Sequence, residues 1–212
     1  MINFENLLSA LIGSVIGIFI SGSFGRLNNA IKINSYRKLI LVYSKFIVIR
    51  KAEKYISNFE ESKSYILDFV EMHNYGKKAE IKFDAMPMFN SDIYKSIPTE
   101  FLYKIFLNKE LYTDFLDTIY SIDFLKSNMP SNKISEFNQN IKNHITYQNI
   151  PLKEVNNHLE DCSTVKNLIE RFQKDSDFKI KRAKGIIYEV TNIDEKLKGN
   201  NIIWIIRYFF SQ

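Results

Sequence analysis

Few side chains in this chain can do chemistry. Its three histidines are His73, His144 and His158, and Cys162 is its only cysteine. His144 is the most suggestive of them. It follows Ile141 by three residues, precedes Ile145, and closes the polar run Gln139-Asn140-Ile141-Lys142-Asn143-His144. An imidazole titrates near neutrality and can serve as a general acid or base. Asn140, one helical turn earlier, would be its polar companion. The plainer reading is a histidine at the edge of a core, satisfied by one hydrogen bond. Glu80-Ile81-Lys82 matches the short ExK fragment of many metal-dependent nucleases. No two histidines stand at close helical spacing, and one cysteine excludes a four-thiolate zinc site, so no metal site is expected. There is no glycine-rich phosphate loop, no HExxH, no GxSxG and no kinase signature, so no cofactor is expected. The expectation is a protein that is not an enzyme, with Asn140 and His144 as its only catalytic candidates.

These residues must be positioned by helices. Ser131 is the expected cap of a helix that turns Ile134, Phe137, Ile141 and Ile145 inward, after the break at Asn128-Met129-Pro130. Pro98 can open an earlier helix, with Glu100 near its positive end. Leu111, Phe115, Ile119 and Ile122 form the apolar face of the next one, widened by Tyr112, Leu116, Tyr120 and Phe124. Pro151 is expected to start a helix carrying Leu152, Val155, Leu159, Cys162, Val165, Ile169 and Phe172. Asp175-Ser176-Asp177 marks a boundary, and Gly185–Val190 reads as helix or strand. Gly199-Asn200-Asn201 precedes the apolar segment Ile202–Phe210, which is too short to cross a membrane. It would complete the core, pack on a second subunit or rest at an interface. Lys77–Asn90 reads as a loop. The fold class expected is mainly α.

The N-terminal segment sets the organisation. From Asn6 to Gly25 no residue is charged, and 20 helical residues span about 30 Å, the thickness of a bilayer's hydrocarbon core. The sequence predicts a single N-terminal transmembrane helix over residues 1–26, a basic juxtamembrane helix over 27–58 and a cytosolic helical bundle over 59–212. A cleaved signal peptide would need a basic start, and the chain begins Met-Ile-Asn-Phe-Glu. Seven bases, from Arg26 to Lys51, precede the next acid, Glu53, and none precedes the span. This bias places the N-terminus outside and the bundle in the cytoplasm. Arg26, Lys32, Arg37 and Lys38 are the candidate contacts to lipid headgroups or nucleic acid. Leu39–Ile49 continues as a buried helix, with helical character expected to Met72.

Ser9, Gly13, Gly17, Ser21 and Gly25 recur every fourth residue, and four of the chain's seven glycines lie between Gly13 and Gly25. Such a face lets helices approach closely. It resembles the glycine zipper of oligomeric membrane channels and predicts a homo-oligomer in the bilayer.

The run from Gln139 to His144 also resembles the motif of HEPN domains. These are helical bundles whose ribonuclease members carry Arg, four to six residues, then His, often with Asn after the Arg. Here Gln139 stands at the arginine position, and Gln supplies no charge beside a phosphate. The departure argues against RNA cleavage. An N-terminal span joined to a degenerate HEPN-like domain is similar to the small membrane-pore accessory proteins of RNA-targeting type VI CRISPR systems. The resemblance implies an oligomeric pore that perturbs the membrane of a prokaryotic cell during phage infection. The alternatives are a membrane-tethered adaptor whose bundle binds a protein or RNA partner, and a HEPN-like ribonuclease.

Overall fold

One helical run extends from Phe4 to Leu67, about 95 Å at 1.5 Å per residue. The computed structural model describes residues 4–67, 91–106, 109–149, 154 and 162–210, without the side chains of 4–11, 19, 67 and 207. Helix α1 (Phe4–Tyr43) passes through a π-helical turn (Ser44–Val48) into α2 (Ile49–Leu67). There follow α3 (Asp92–Lys95), α4 (Thr99–Phe106), α5 (Lys109–Ser127), α6 (Pro130–Tyr147), α7 (Ser163–Leu197) and α8 (Asn201–Phe210). The fold is mainly α, with no strand among the described residues.

The bundle is built on α2 and α7. On α2, Ala52, Tyr55, Phe59, Ser62 and Ile66 are buried. On α7, so are Phe172, Ser176, Lys179, Ala183, Ile186, Val190, Ile193 and Leu197. Both series step by three and four residues, the period that keeps one face against a neighbouring helix. Lys179 Nζ lies 5.9 Å from the Phe59 ring centroid and Lys63 pairs with Asp177, so the two helices run antiparallel. Helix α5 lays Leu111, Phe115, Ile119 and Ile122 into the main core. Its Phe115 meets Tyr94 edge-on at 5.0 Å and Phe106 at 4.7 Å. Truncating such a ring costs about 3–5 kcal/mol. A second, smaller core joins Ile66 to Ile134, Phe137 and Ile141 of α6 and to Val165 and Phe172. The α6 helix therefore sits where α2 ends and α7 begins.

The π turn is held from outside the helix. Ser44 Oγ and Tyr94 Oη are 2.6 Å apart in a buried hydrogen bond, and Tyr43 meets Tyr94 edge-on. A π turn carries one residue more than an α turn, and side-chain bonds of this kind stabilise it.

Several expectations change. Asp175-Ser176-Asp177 is no boundary: α7 runs through it, because Asp175 pairs with Lys179 and Asp177 with Lys63 while Ser176 is buried. Gly185–Val190 is helix within α7. Ser131 caps nothing: Met129, in extended conformation, is the N-cap and Pro130 begins the helix. Cys162 is not inside a helix but is the extended N-cap of α7. Leu39–Ile49 is only half buried. Ile40, Tyr43, Ser44 and Val48 turn inward, and Leu39, Val42, Phe46 and Ile47 are exposed. The segment is an amphipathic stretch of one long helix. Lys77–Asn90, Glu80-Ile81-Lys82, His73, His158 and the start expected at Pro151 lie outside the described residues.

Candidate functional site

The described side chains of the first half of α1 are almost all exposed. Between Ile12 and Asn29 every described side chain is exposed except the half-buried Ser23. Ile12, Val15, Ile16, Ile18, Ile20 and Phe24 are 50–73% exposed, and among the described side chains the first buried one is Ala30. Such a run of large apolar side chains facing outward marks an interaction surface. Among the described residues no helix is long and apolar enough to cross a membrane. The described side chains of the Asn6–Gly25 run begin only at Ile12.

The small-residue stripe lies on this segment. A side chain added at Gly13, Gly17, Gly22 or Gly25 would meet nothing within 4 Å. Glycine costs about 1 kcal/mol relative to alanine in a helix, and among the described residues no close approach offsets it. Ser21 is exposed, and the side chain of Ser9 lies outside the described residues.

The four candidate bases separate. Arg26, Lys32 and Lys38 are exposed. Arg37 is 1% exposed and is not available to a headgroup or phosphate. Its Nη1 donates to the Leu197 carbonyl at the end of α7, its Nη2 to Asn201 Oδ1 at 2.6 Å and its Nε to Asn34 Oδ1 at 3.1 Å. Burial pushes the guanidinium below its ordinary pKa. Asn34 stands three residues earlier on α1, and the fork reaches the end of α7 and the start of α8 together, so it was drawn inward.

The α6 candidates do not converge. Gln139 Nε2 donates to Asn143 Oδ1 at 2.8 Å on the exposed face. Asn140 lines an open cleft of about 320 Å³ between α6 and α7, with Lys133, Glu136, Arg171 and Asp175 over Phe137 and Phe172. His144 is half buried, and its Nε2 lies 3.2 Å from Cys162 Sγ. Sequence reasoning missed both Cys162 as the partner of His144 and Arg171 as the cation near Asn140. They stand 18 and 31 positions from those residues, and only the α6–α7 packing joins them. Among the described residues no group of His, Cys, Asp or Glu is placed to hold a metal.

Comparison with protein-family models, with curated proteins and with solved structures returns no match for this chain.

Proposed function

We propose that this chain is a membrane-anchored protein that self-associates through the first half of α1, and that its assembly perturbs the bilayer. The observation that carries the proposal is the outward-facing apolar run from Ile12 to Phe24. It continues a 20-residue sequence without charge, followed by bases and by no acid before Glu53. That charge bias orients the bundle to the cytoplasmic face of a prokaryotic cell membrane. The open space at Gly13 and Gly17 supports a second copy as the neighbour of the glycine face. A pore acting in antiphage defence, as in the type VI CRISPR accessory proteins the sequence resembles, is the form of this function we favour.

The test replaces Gly13 and Gly17 with Leu. A Cβ at either position meets no described atom within 4 Å, so the bundle should keep its melting temperature. The detergent-extracted particle should fall to monomer size, and depolarisation of expressing cells should cease. An oligomer of unchanged size would remove the glycine face from the assembly. A wild-type chain that is monomeric and never depolarises, even with its trigger present, would overturn the function.

The α6–α7 cleft favours a second reading, a tethered adaptor. Among the described residues Arg171 makes no ion pair or hydrogen bond, and it flanks Asn140 at the surface, open to a protein or RNA partner. A chimera carrying an unrelated anchor would keep its function on this reading and lose it on the first. Against the ribonuclease reading stands Gln139, which is neutral at the position of the motif's arginine and is bonded to Asn143.

A further inference from the structure

Helix α7 has an outer face of its own. Arg171, Lys174, Phe178 and Lys181 are exposed at steps of three and four residues, opposite the buried Phe172, Ser176, Lys179 and Ala183. Arg182 is exposed beside them. Its guanidinium lies 4.8 Å from the ring centroid of Phe124 on α5, and Phe124 meets Phe178 edge-on at 6.1 Å. Phe178 itself is 53% exposed. The acids around this face are taken up by cations of the chain. Glu170 has Lys174 at 3.7 Å, Asp175 has Lys179, and Asp177 has Lys63. Glu189, further along α7, is half buried and bonded to Thr118. Among the described residues Arg171, Lys181 and Arg182 form no ion pair. Three positive charges therefore surround one exposed aromatic ring.

We infer that this face of α7 binds single-stranded nucleic acid, with phosphates on Arg171, Lys181 and Arg182 and an unpaired base stacked on Phe178. The inference rests on the tethered-adaptor reading, to which it gives a partner and a surface, and does not depend on pore formation. Bases set along a surface neutralise phosphates, and an aromatic ring exposed among them is a platform for a nucleobase. A duplex keeps its bases stacked on one another and would leave Phe178 unused. An acidic protein segment would account for the charges and not for the ring. Position argues against lipid headgroups. Lys63 pairs with Asp177, so Phe178 stands level with Lys63 on α2. From Gly25 to Lys63 the helix is continuous for 38 residues, or about 57 Å. The charge of a bilayer around the uncharged run is screened within about 8 Å at physiological salt. The polyanion within reach of this face is a soluble one.

The experiment titrates the full chain, in a neutral detergent, into a fluorescein-labelled oligouridylate and reads anisotropy across a range of salt. Three phosphate contacts on a single strand predict a logarithm of the binding constant that falls by about 2 per tenfold rise in salt. R171Q/K181Q should reduce that slope to about 0.7. F178L should weaken binding about tenfold at every salt and leave the slope unchanged, because it removes stacking and no charge. F178W should bind as the wild type does. All these positions are exposed, so each variant should keep its melting temperature. An F178L variant that binds like the wild type would overturn the stacked base, as would polyglutamate that displaces the oligonucleotide at equal charge; both would leave the face to an acidic protein. Displacement by phosphatidylglycerol micelles at equal charge would assign it to lipid instead. A wild-type chain that binds no oligonucleotide, while the chimera with an unrelated anchor still functions, would overturn the surface and leave the adaptor standing. Failure of both would overturn the two together.

Discussion

The Arg37 guanidinium lies over the Trp204 indole, 5.2 Å from the ring centroid. With the Leu197 carbonyl and Asn201 also on Arg37, one side chain of α1 fixes the end of α7 and the start of α8. Removing it leaves a helix-terminal carbonyl and the Asn201 amide without their donor. Arg37→Ala should cost about 3 kcal/mol, the scale of breaking a buried charged group's hydrogen bonds. Arg37→Lys should recover only part, since an ammonium cannot serve three directions with one planar fork. Thermal unfolding in detergent measures the cost. A red shift of the Trp204 emission at temperatures below unfolding would show α8 loosened.

The pair on α7 predicts an asymmetry. Lys179 is almost wholly buried and Asp175 is about half exposed. Asp175→Ala strands an ammonium in the α2–α7 seam, whereas Lys179→Met leaves the carboxylate to water. The first should cost about 2–4 kcal/mol and the second no more than about 1 kcal/mol. Denaturant unfolding of both variants checks the order. Equal costs would show that Lys179 finds another partner.

A pH dependence follows from Glu189. Burial pushes its carboxyl above the ordinary range; a hydrogen bond from Thr118 opposes this, and Asp117 and Asp114 add to it. The Thr118 hydroxyl lies 2.9 Å from the Asp114 carbonyl and 3.0 Å from Glu189 Oε2, and has one proton for both. A protonated Glu189 resolves the conflict by donating to Thr118. A folded pKa above the unfolded value of about 4.3 means stability present below that value and lost as pH rises through the raised one. Glu189→Gln, which also donates, should therefore raise the melting temperature at neutral pH. Its advantage should vanish in acid below the ordinary carboxylate range. A variant less stable at neutral pH would contradict the sign.

The expected helix faces on α5 and α6 were readable because each is local: Leu111, Phe115, Ile119 and Ile122 are buried, as are Ile134, Phe137 and Ile141. The same local rules failed at Asp175-Ser176-Asp177. Two acids around a serine look like a break until partners on another turn and another helix are known. Arg37 was misplaced for the same reason, because the acceptors that draw it inward lie 160 and 164 residues away. Of the candidate site, the α1 surface was legible as composition and spacing. The surroundings of Asn140 and His144 were not, because Arg171 and Cys162 come from the other side of a helix–helix packing.

The π turn at Ser44–Val48 makes the long helix a shaft with one setting. Everything from Phe4 to Tyr43 is continuous helix, so any twist applied at the bundle reaches the far end. One extra residue in a turn corresponds to about 100° of azimuth. Breaking the hydrogen bond between Ser44 and Tyr94 and letting the turn relax to α geometry would rotate the glycine face by that angle against α2. Because Ala30, Ile33, Arg37 and Ile40 of α1 are buried in the bundle, such a rotation would carry them out of the core, so the turn locks the azimuth at which the far end of the shaft is presented.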